Sequence, residues 1–295
     1  MSEQEWLGEE FQRHRGRLRA VAFRMLGSTA EADDAVQETW LRASRAGAEG
    51  VGNPEAWLTT IVARVCLNLL RARATRREDP LDVHVPNPIV SPAAGVDPEH
   101  EALLADSVGL ALQVVLQTLA PPERLAFVLH DMFAVPFEDI GPLVERSPAA
   151  ARQLASRARR RVQARPTAPD RDTARQRAVV EAFFTASREG DFAALVEVLD
   201  PDVILRSDGG ESRPRLTFTL HGPEQVATQA LASSRLSPFV YPALVNGAAG
   251  VVVASAPDRP LFVMAFTVVD GRIAAVDVLA DADRLRGLDL SMLGG

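Results

Sequence analysis

Apolar residues recur at three- and four-residue steps from Phe11 to Ala46, first as Leu18, Val21, Ala22, Met25 and Leu26, then as Ala32, Ala35, Val36, Thr39 and Trp40. That period is the one-sided stripe of an α-helix. "GST" at 27–29 divides the stretch into two helices, with Thr29 placed to cap the second. "GVGNP" at 50–54 reads as a loop, and a longer helix is predicted over about 55–73. It is apolar at its front and closes in "RARATRR", where cations favour a helix C-terminus. The segment "DPLDVHVPNPIVSPAAGVDP" at 79–98 holds five prolines, each lacking a donor and discouraging helix before it, and reads as a linker. Helix resumes at about Pro98, "APPE" opens another through "RLAFVLHDMF", and "PFEDIGPLVERSPAAARQLASRARRRVQ" predicts a helix, a turn and a helix. A second linker, "RPTAPDRD", covers 165–172.

Beyond it the texture changes. Two or three short helices are predicted in "TARQRAVVEAFFTASREGDFAALVEVLDPDV". Six strand-like runs follow, "VILRSD", "RLTFTL", "VYPALV", "GVVVAS", "PLFVMAFTVV" and "RIAAVDVL", β-branched and bounded by Gly, Pro and Asp. Asp270-Gly271 between two apolar runs is a strong hairpin signal. Helices first and a bent antiparallel sheet afterwards predict a separate α+β domain.

Composition narrows the class. A chain of 295 residues, 47% hydrophobic, has material for more than one packed core. No apolar run reaches the roughly 18 residues of a membrane span, and the N-terminus begins polar and acidic, without the apolar core of a signal peptide. The single cysteine, Cys66, excludes an intramolecular disulfide framework. A cytoplasmic location without membrane partner is expected. No spaced Cys/His set suggests a metal, and no cofactor is called for.

The net charge is −7, yet the helix after Ser147 is dense in arginine, and all 32 basic residues of the chain are arginine. Ser147 can cap this helix and Pro148 suits its first turn. Ala151, Leu154, Ala155, Ala158 and Val162 share one face, leaving Arg152, Gln153, Ser156, Arg157, Arg159 and Arg160 on the others. A recognition helix needs that division: readers near its start, arginines for phosphates. An ordinary solvated helix carries similar charge runs, so this stretch alone does not decide.

The segment "LAPPERLAFVLHDMFAVPFEDIGPLVERSPAAARQLASRARRRV" resembles region 4 of bacterial RNA polymerase sigma factors of the extracytoplasmic-function type. "FRMLGSTAEADDAVQETWLRA" resembles their region 2 polymerase-binding helix, and "NPEAWLTTIVARVCLNLLRARATRR" the helix that melts and reads the −10 element. Together they cover roughly 6–165. The C-terminal extension looks like that of the SigJ-type subgroup, a fused SnoaL-like domain with the cone fold of nuclear transport factor 2. The resemblance implies a multidomain protein with two all-α domains and an α+β cone bearing a curved antiparallel sheet. Its parts are region 2 (1–77), a proline-rich linker (78–97), the region 4 helix-turn-helix (98–165) and the SnoaL-like regulatory domain (173–290).

By resemblance, Asp33, Asp34, Gln37 and Glu38 meet the clamp helices of the polymerase largest subunit, and region 4 meets the flap. Asn68, Arg71, Arg73, Arg76 and Arg77 would follow the melted −10 strand, and the arginine-rich helix the −35 element. Trp40, Trp57, Cys66 and His130 are expected in the core. Two features depart from the pattern. Gly141-Pro142 falls inside the first helix of the helix-turn-helix, and the linker reads "VHVPNPIV" where the subgroup tends to Trp-Leu-Pro-Glu-Pro, so Asn87 replaces the glutamate.

In the extension, "DGGESRP" (Asp208, Gly209, Gly210 onward) matches an Asp-Gly-Gly-Gly-Lys-like loop, and "DADRLRGL" (with Asp283 and Leu285) an Asn-Pro-Asp-Lys-Leu-like tail. In the family these segments lie near the linker and region 2 and set activity. The cone also leaves room for a small-molecule ligand in its pocket. The alternative is a ligand-binding domain, or an isomerase or cyclase with Asp208, His221 or Asp277 as acid or base, fused to a DNA-binding arm. A stand-alone helix-turn-helix repressor is a third reading, against which "EADDAVQETWLRA" counts.

Overall fold

The computed structural model describes residues 3–76, 83–93, 109–164, 170, 172–234, 239–256, 259–288 and 290. The chain divides into two units, Met1–Asp79 with Val115–Arg165, and Pro80–Val114 with Pro166–Gly295.

In the first unit the predicted stripes become α1 (Glu3–Leu26), α2 (Thr29–Ala46) and α3 (Pro54–Arg76). Leu18, Met25, Ala32, Ala43, Leu58, Val62 and Cys66 are fully buried among them. The cap of α2 is Ser28 rather than Thr29: its hydroxyl accepts from the Glu31 N–H, while Gly27 turns the chain at φ +76°. Continuing the same unit, α4 (Leu110–Thr118) crosses its boundary, followed by α5 (Pro121–Phe127), a π-helical turn (Val128–Met132), α6 (Phe137–Leu143) and α7 (Pro148–Gln163). The expected helix start near Pro98 lies outside the described residues.

The Gly141-Pro142 pair has a packing reason. A Cβ on Gly141 would stand 2.8 Å from the Arg146 carbonyl oxygen, so the turn between α6 and α7 closes directly over it. Pro142 falls at the end of a helix of only seven residues, so little helix lies beyond the bond it omits. Glu145 completes the turn with φ +58°.

The second unit contains α8 (Thr173–Glu189), α9 (Phe192–Val198) and α10 (Pro223–Ser234) against a seven-stranded sheet in the order β1-β4-β5-β6-β7-β2-β3. The strands are β1 (Val90–Pro92), β2 (Leu199–Asp208), β3 (Phe218–His221), β4 (Phe239–Val245), β5 (Ala248–Ala256), β6 (Arg259–Val269) and β7 (Arg272–Leu279), and α11 (Ala282–Arg286) follows. All pairings are antiparallel except β2 with β7, which is parallel, so the sheet is mixed. Asp270 and Gly271 both take positive φ, the geometry of a tight hairpin turn. Phe183, Leu195, Leu199, Phe266 and Ile273 form the core between helices and sheet. Absent from the sequence expectations were the helices α10 and α11, and the strand β1, which the proline-rich segment contributes by pairing antiparallel with β4.

Candidate functional site

On α7, the Ser147 hydroxyl accepts from the Ala150 N–H, and Ala151, Ala155 and Ala158 are completely buried. Alanines let the helix seat closely and leave the longer residues outside. Arg152, Gln153, Ser156, Arg157 and Arg160 are exposed along one surface, with Arg152 stacked over Phe137 at 5.3 Å. Arg159 is held differently, by the Asp131 carboxylate, and that bond raises its already high pKa further. Arg157 and Arg161 lie 3.7 and 3.3 Å from Glu123. The surface therefore combines Arg152, Gln153 and Ser156, without ion pairs among the described residues, with Arg157, Arg159 and Arg161, which have acidic partners.

On α2, Asp33, Asp34 and Gln37 are exposed and Glu38 half-exposed, one helical turn apart on a single face. Arg19 clasps Asp33 through two bonds of 2.6 and 2.9 Å, and Arg42 donates to Glu38 at 2.8 Å. Asp34 has no ion pair among the described residues. Leu41 on the same helix is exposed, 41% accessible.

On α3, Asn68 is exposed as expected, with exposed Arg64 one turn before it, a residue that sequence reading passed over. Arg71 reaches Glu145 at 3.2 Å. Arg73 points elsewhere: it binds the Glu31 carboxylate and approaches the Leu26 carbonyl, tying α3 to the α1–α2 turn instead of facing a strand of DNA. The side chain of Arg76, and Arg77 entirely, lie outside the described residues. Of the four residues expected in the core only Cys66 is fully buried, its thiol pushed up to about 12 by burial; Trp40, Trp57 and His130 are half-buried, Trp40 packing on Phe11 with ring centroids 5.1 Å apart and His130 stacking on Phe137.

In the second unit the motif-like segments converge on residues 83–93. Asp208, 1% exposed, accepts from the Val85 N–H at 2.9 Å and from Arg284 Nη1 at 2.8 Å, with His84 Nδ1 at 3.4 Å. Burial alone would raise its carboxyl, but the bonds from His84 and Val85 and the Arg284 charge outweigh burial and hold it at about 2. Arg284 also donates to the Val85 carbonyl and, at 2.6 Å, to Asn87 Oδ1. The pairing of an amide with arginine explains how "VHVPNPIV" keeps a polar contact without a glutamate. Gly209 and Gly210 are required by space: a Cβ on Gly210, whose φ is +57°, would collide with the Asp281 carboxylate. Asp281 caps α11, accepting from the Asp283 and Arg284 N–H groups. Leu285 is buried with Val85, Val90 and Leu110, whereas Asp283 is exposed and pairs with Arg286. Asn246, unremarked in the sequence, holds the far end: its Oδ1 accepts from the Ile89 N–H and its N–H donates to the Ile89 carbonyl, both at 2.8 Å.

A cavity of about 410 Å³ opens between α8, α10 and the other face of the sheet. Leu205, Ser207 and Val278 line it. Strand alternation therefore turns Arg206, Asp208 and Asp277 away from it, and Arg206 pairs with Asp277 at 2.8 Å, both buried. His221 does not line it either. The three acid–base candidates thus do not converge on this cavity.

Residues 11–76 match the Sigma-70 region 2 family and residues 109–162 the Sigma-70 region 4 family. The ECF RNA polymerase sigma factor SigJ of Mycobacterium tuberculosis is 37% identical over 95% of this chain and 94% of its own length. The probable ECF RNA polymerase sigma factor SigI of the same organism is 33% identical over the whole of both chains. The crystal structure of M. tuberculosis SigJ superimposes with a TM-score of 0.76 at 33% identity, covering 96% of this chain and 99% of that one. With two sigma regions in order and full-length likeness through the C-terminal domain, the chain belongs to the family of extracytoplasmic-function RNA polymerase sigma factors.

Proposed function

We propose that the chain directs core RNA polymerase to promoters, α2 docking on the polymerase clamp, α3 engaging the −10 element and α7 the −35 element, with region 4 also meeting the flap. The observation that carries this reading is the division of α7 between a buried alanine seam and an exposed face of Arg152, Gln153, Ser156, Arg157 and Arg160. Asn68, and Arg64 and Arg71 around it, supply an amide for a base edge and cations for phosphates. Arg73, half-buried against Glu31 and the Leu26 carbonyl, is left out of that set, whereas Arg71 stays exposed beside Glu145.

The C-terminal domain modulates this activity in the same proposal. Its Asp208, Asn246 and Arg284 hold the segment 83–93, which joins the two DNA-facing parts in sequence. Whatever fixes that segment restricts the separations α3 and α7 can adopt, and a promoter demands one separation.

The test is transcription from a promoter library with purified core polymerase. The wild type should yield transcripts from a defined motif pair. The double variant Asp34→Arg, Glu38→Arg should lose core binding at moderate salt while keeping its helicity, since like charge is brought against an acid-seeking surface. Wild-type affinity in that variant would remove the α2 face from the docking site.

A further inference from the structure

The cavity behind β2 has the features of a ligand site. Its volume of about 410 Å³ is within the range of small-molecule pockets. Its walls are largely aromatic and aliphatic, among them Phe183, Phe218, Phe262 and Met264. Of the polar residues that break that lining, two bear on the ligand. Ser207 is only 4% exposed, yet its hydroxyl makes no hydrogen bond among the described residues, and it lines the cavity. That hydroxyl is open to the cavity, so a ligand that covers it must offer an oxygen partner or leave it unsatisfied, which is costly. Arg188 is exposed on the lining, and its one hydrogen bond among the described residues is a long one of 3.3 Å to the Thr185 hydroxyl. Among the described residues, no aspartate, glutamate or histidine lines the space and Arg188 is the one charged side chain that does.

From these features we infer that the cavity binds an amphipathic monocarboxylate. Its apolar body fills the aromatic interior, its carboxylate pairs with Arg188, and an oxygen function on the body meets Ser207. Charge complementarity selects the anion: the lining offers a guanidinium and nothing to repel a carboxylate. Because no carboxylate or imidazole among the described residues faces the interior, the site is one of binding rather than proton transfer. It lies wholly in the C-terminal domain and stands whether or not that domain restrains the linker.

The test uses full-length protein and two probes of equal length, decanoate and decanol, in calorimetric titration. Decanoate should bind about tenfold more tightly than decanol, the scale of one charge-assisted contact near solvent. Arg188→Gln should erase that preference and leave decanol unchanged. Ser207→Ala should improve decanoate by about fivefold, because a bare alkyl chain otherwise seals an unsatisfied hydroxyl. Ala230→Phe, which fills the cavity, should abolish both, with the thermal transition confirming that the variant is folded. The inference is overturned if neither probe binds, if decanol equals decanoate, if Arg188→Gln keeps the preference, or if folded Ala230→Phe binds as the wild type does. Weaker binding of decanoate to Ser207→Ala would overturn the role given to the hydroxyl. Transcription without any probe tests the sigma activity separately.

Discussion

Asp208→Asn isolates the contact on which the linker segment depends. The substitution keeps shape and removes charge, leaving Arg284, whose side chain is only 20% exposed, without its carboxylate. The magnitude follows from the titration. A carboxyl held at about 2 against an ordinary 3.8 favours its charged form in the folded protein by about 2 kcal/mol, and asparagine imitates the neutral form. Removing one partner of a fully buried pair costs about 3–5 kcal/mol, but Arg284 retains Asn87 and some water. A loss of about 2–3 kcal/mol is therefore expected, or roughly 30–150-fold in an opening equilibrium. Hydrogen exchange reads it directly: the Val85 amide, which donates to Asp208, and the Ile89 amide should exchange faster by that factor. Amides within β5 should keep their protection, which separates local release from unfolding of the sheet. The sign with pH is fixed by the depressed value. The contribution is complete above the ordinary carboxyl range and disappears as pH falls through about 2, so acid, not alkali, should mimic the variant. Unchanged exchange at Val85 in Asp208→Asn would refute the assignment of this carboxylate as the holding group.

Two further outcomes test other parts of the molecule. Asp131→Asn should free Arg159 for phosphate, tightening promoter binding and steepening its salt dependence by up to about one phosphate contact, as read by binding isotherms across salt concentrations. Gly210→Ala places a Cβ against the Asp281 carboxylate in a positive-φ turn, and should lower the melting midpoint of the protein through a loss of about 1–3 kcal/mol, whereas Gly8→Ala, where no atom lies near, should not.

Local rules made the helices legible, and distance made the contacts illegible. The stripe through Leu18, Met25 and Val36 and the cap at Ser147 depend on neighbours a few residues away, and both are found as expected. Ser28 displaces Thr29 as the cap because two adjacent hydroxyl residues are equally suited, and only backbone geometry chooses. The turn Asn246-Gly247 carries the same positive-φ geometry as Asp270-Gly271, and its dipeptide signal was present but unread. Helix α10 hid because "PEQVATQALASS" buries little more than Val226 and Ala227, leaving a faint stripe. The pairs Arg206–Asp277 and Asn87–Arg284 join residues 71 and 197 positions apart, beyond any periodicity. The same distance effect explains Arg73, which looked available until the fold brought Glu31 beside it.

The chemistry of the docked segment follows from its prolines. Pro86, Pro88 and Pro92 have no N–H, so this stretch of backbone presents few donors that burial would leave unsatisfied. Val85 and Ile89 do have them and are buried, and each is met by a side-chain oxygen, Asp208 for the first and Asn246 for the second. Proline also narrows the conformations available when the segment is released, which lowers the entropy lost on docking. Apolar contact from Val85 and Val90 adds affinity, while the two polar acceptors determine register, since sliding by one residue would bring a proline to an acceptor. A proline-rich linker is therefore suited to seat in one place and still to leave, because its hold is concentrated in a few contacts that one substitution or one competing partner can break.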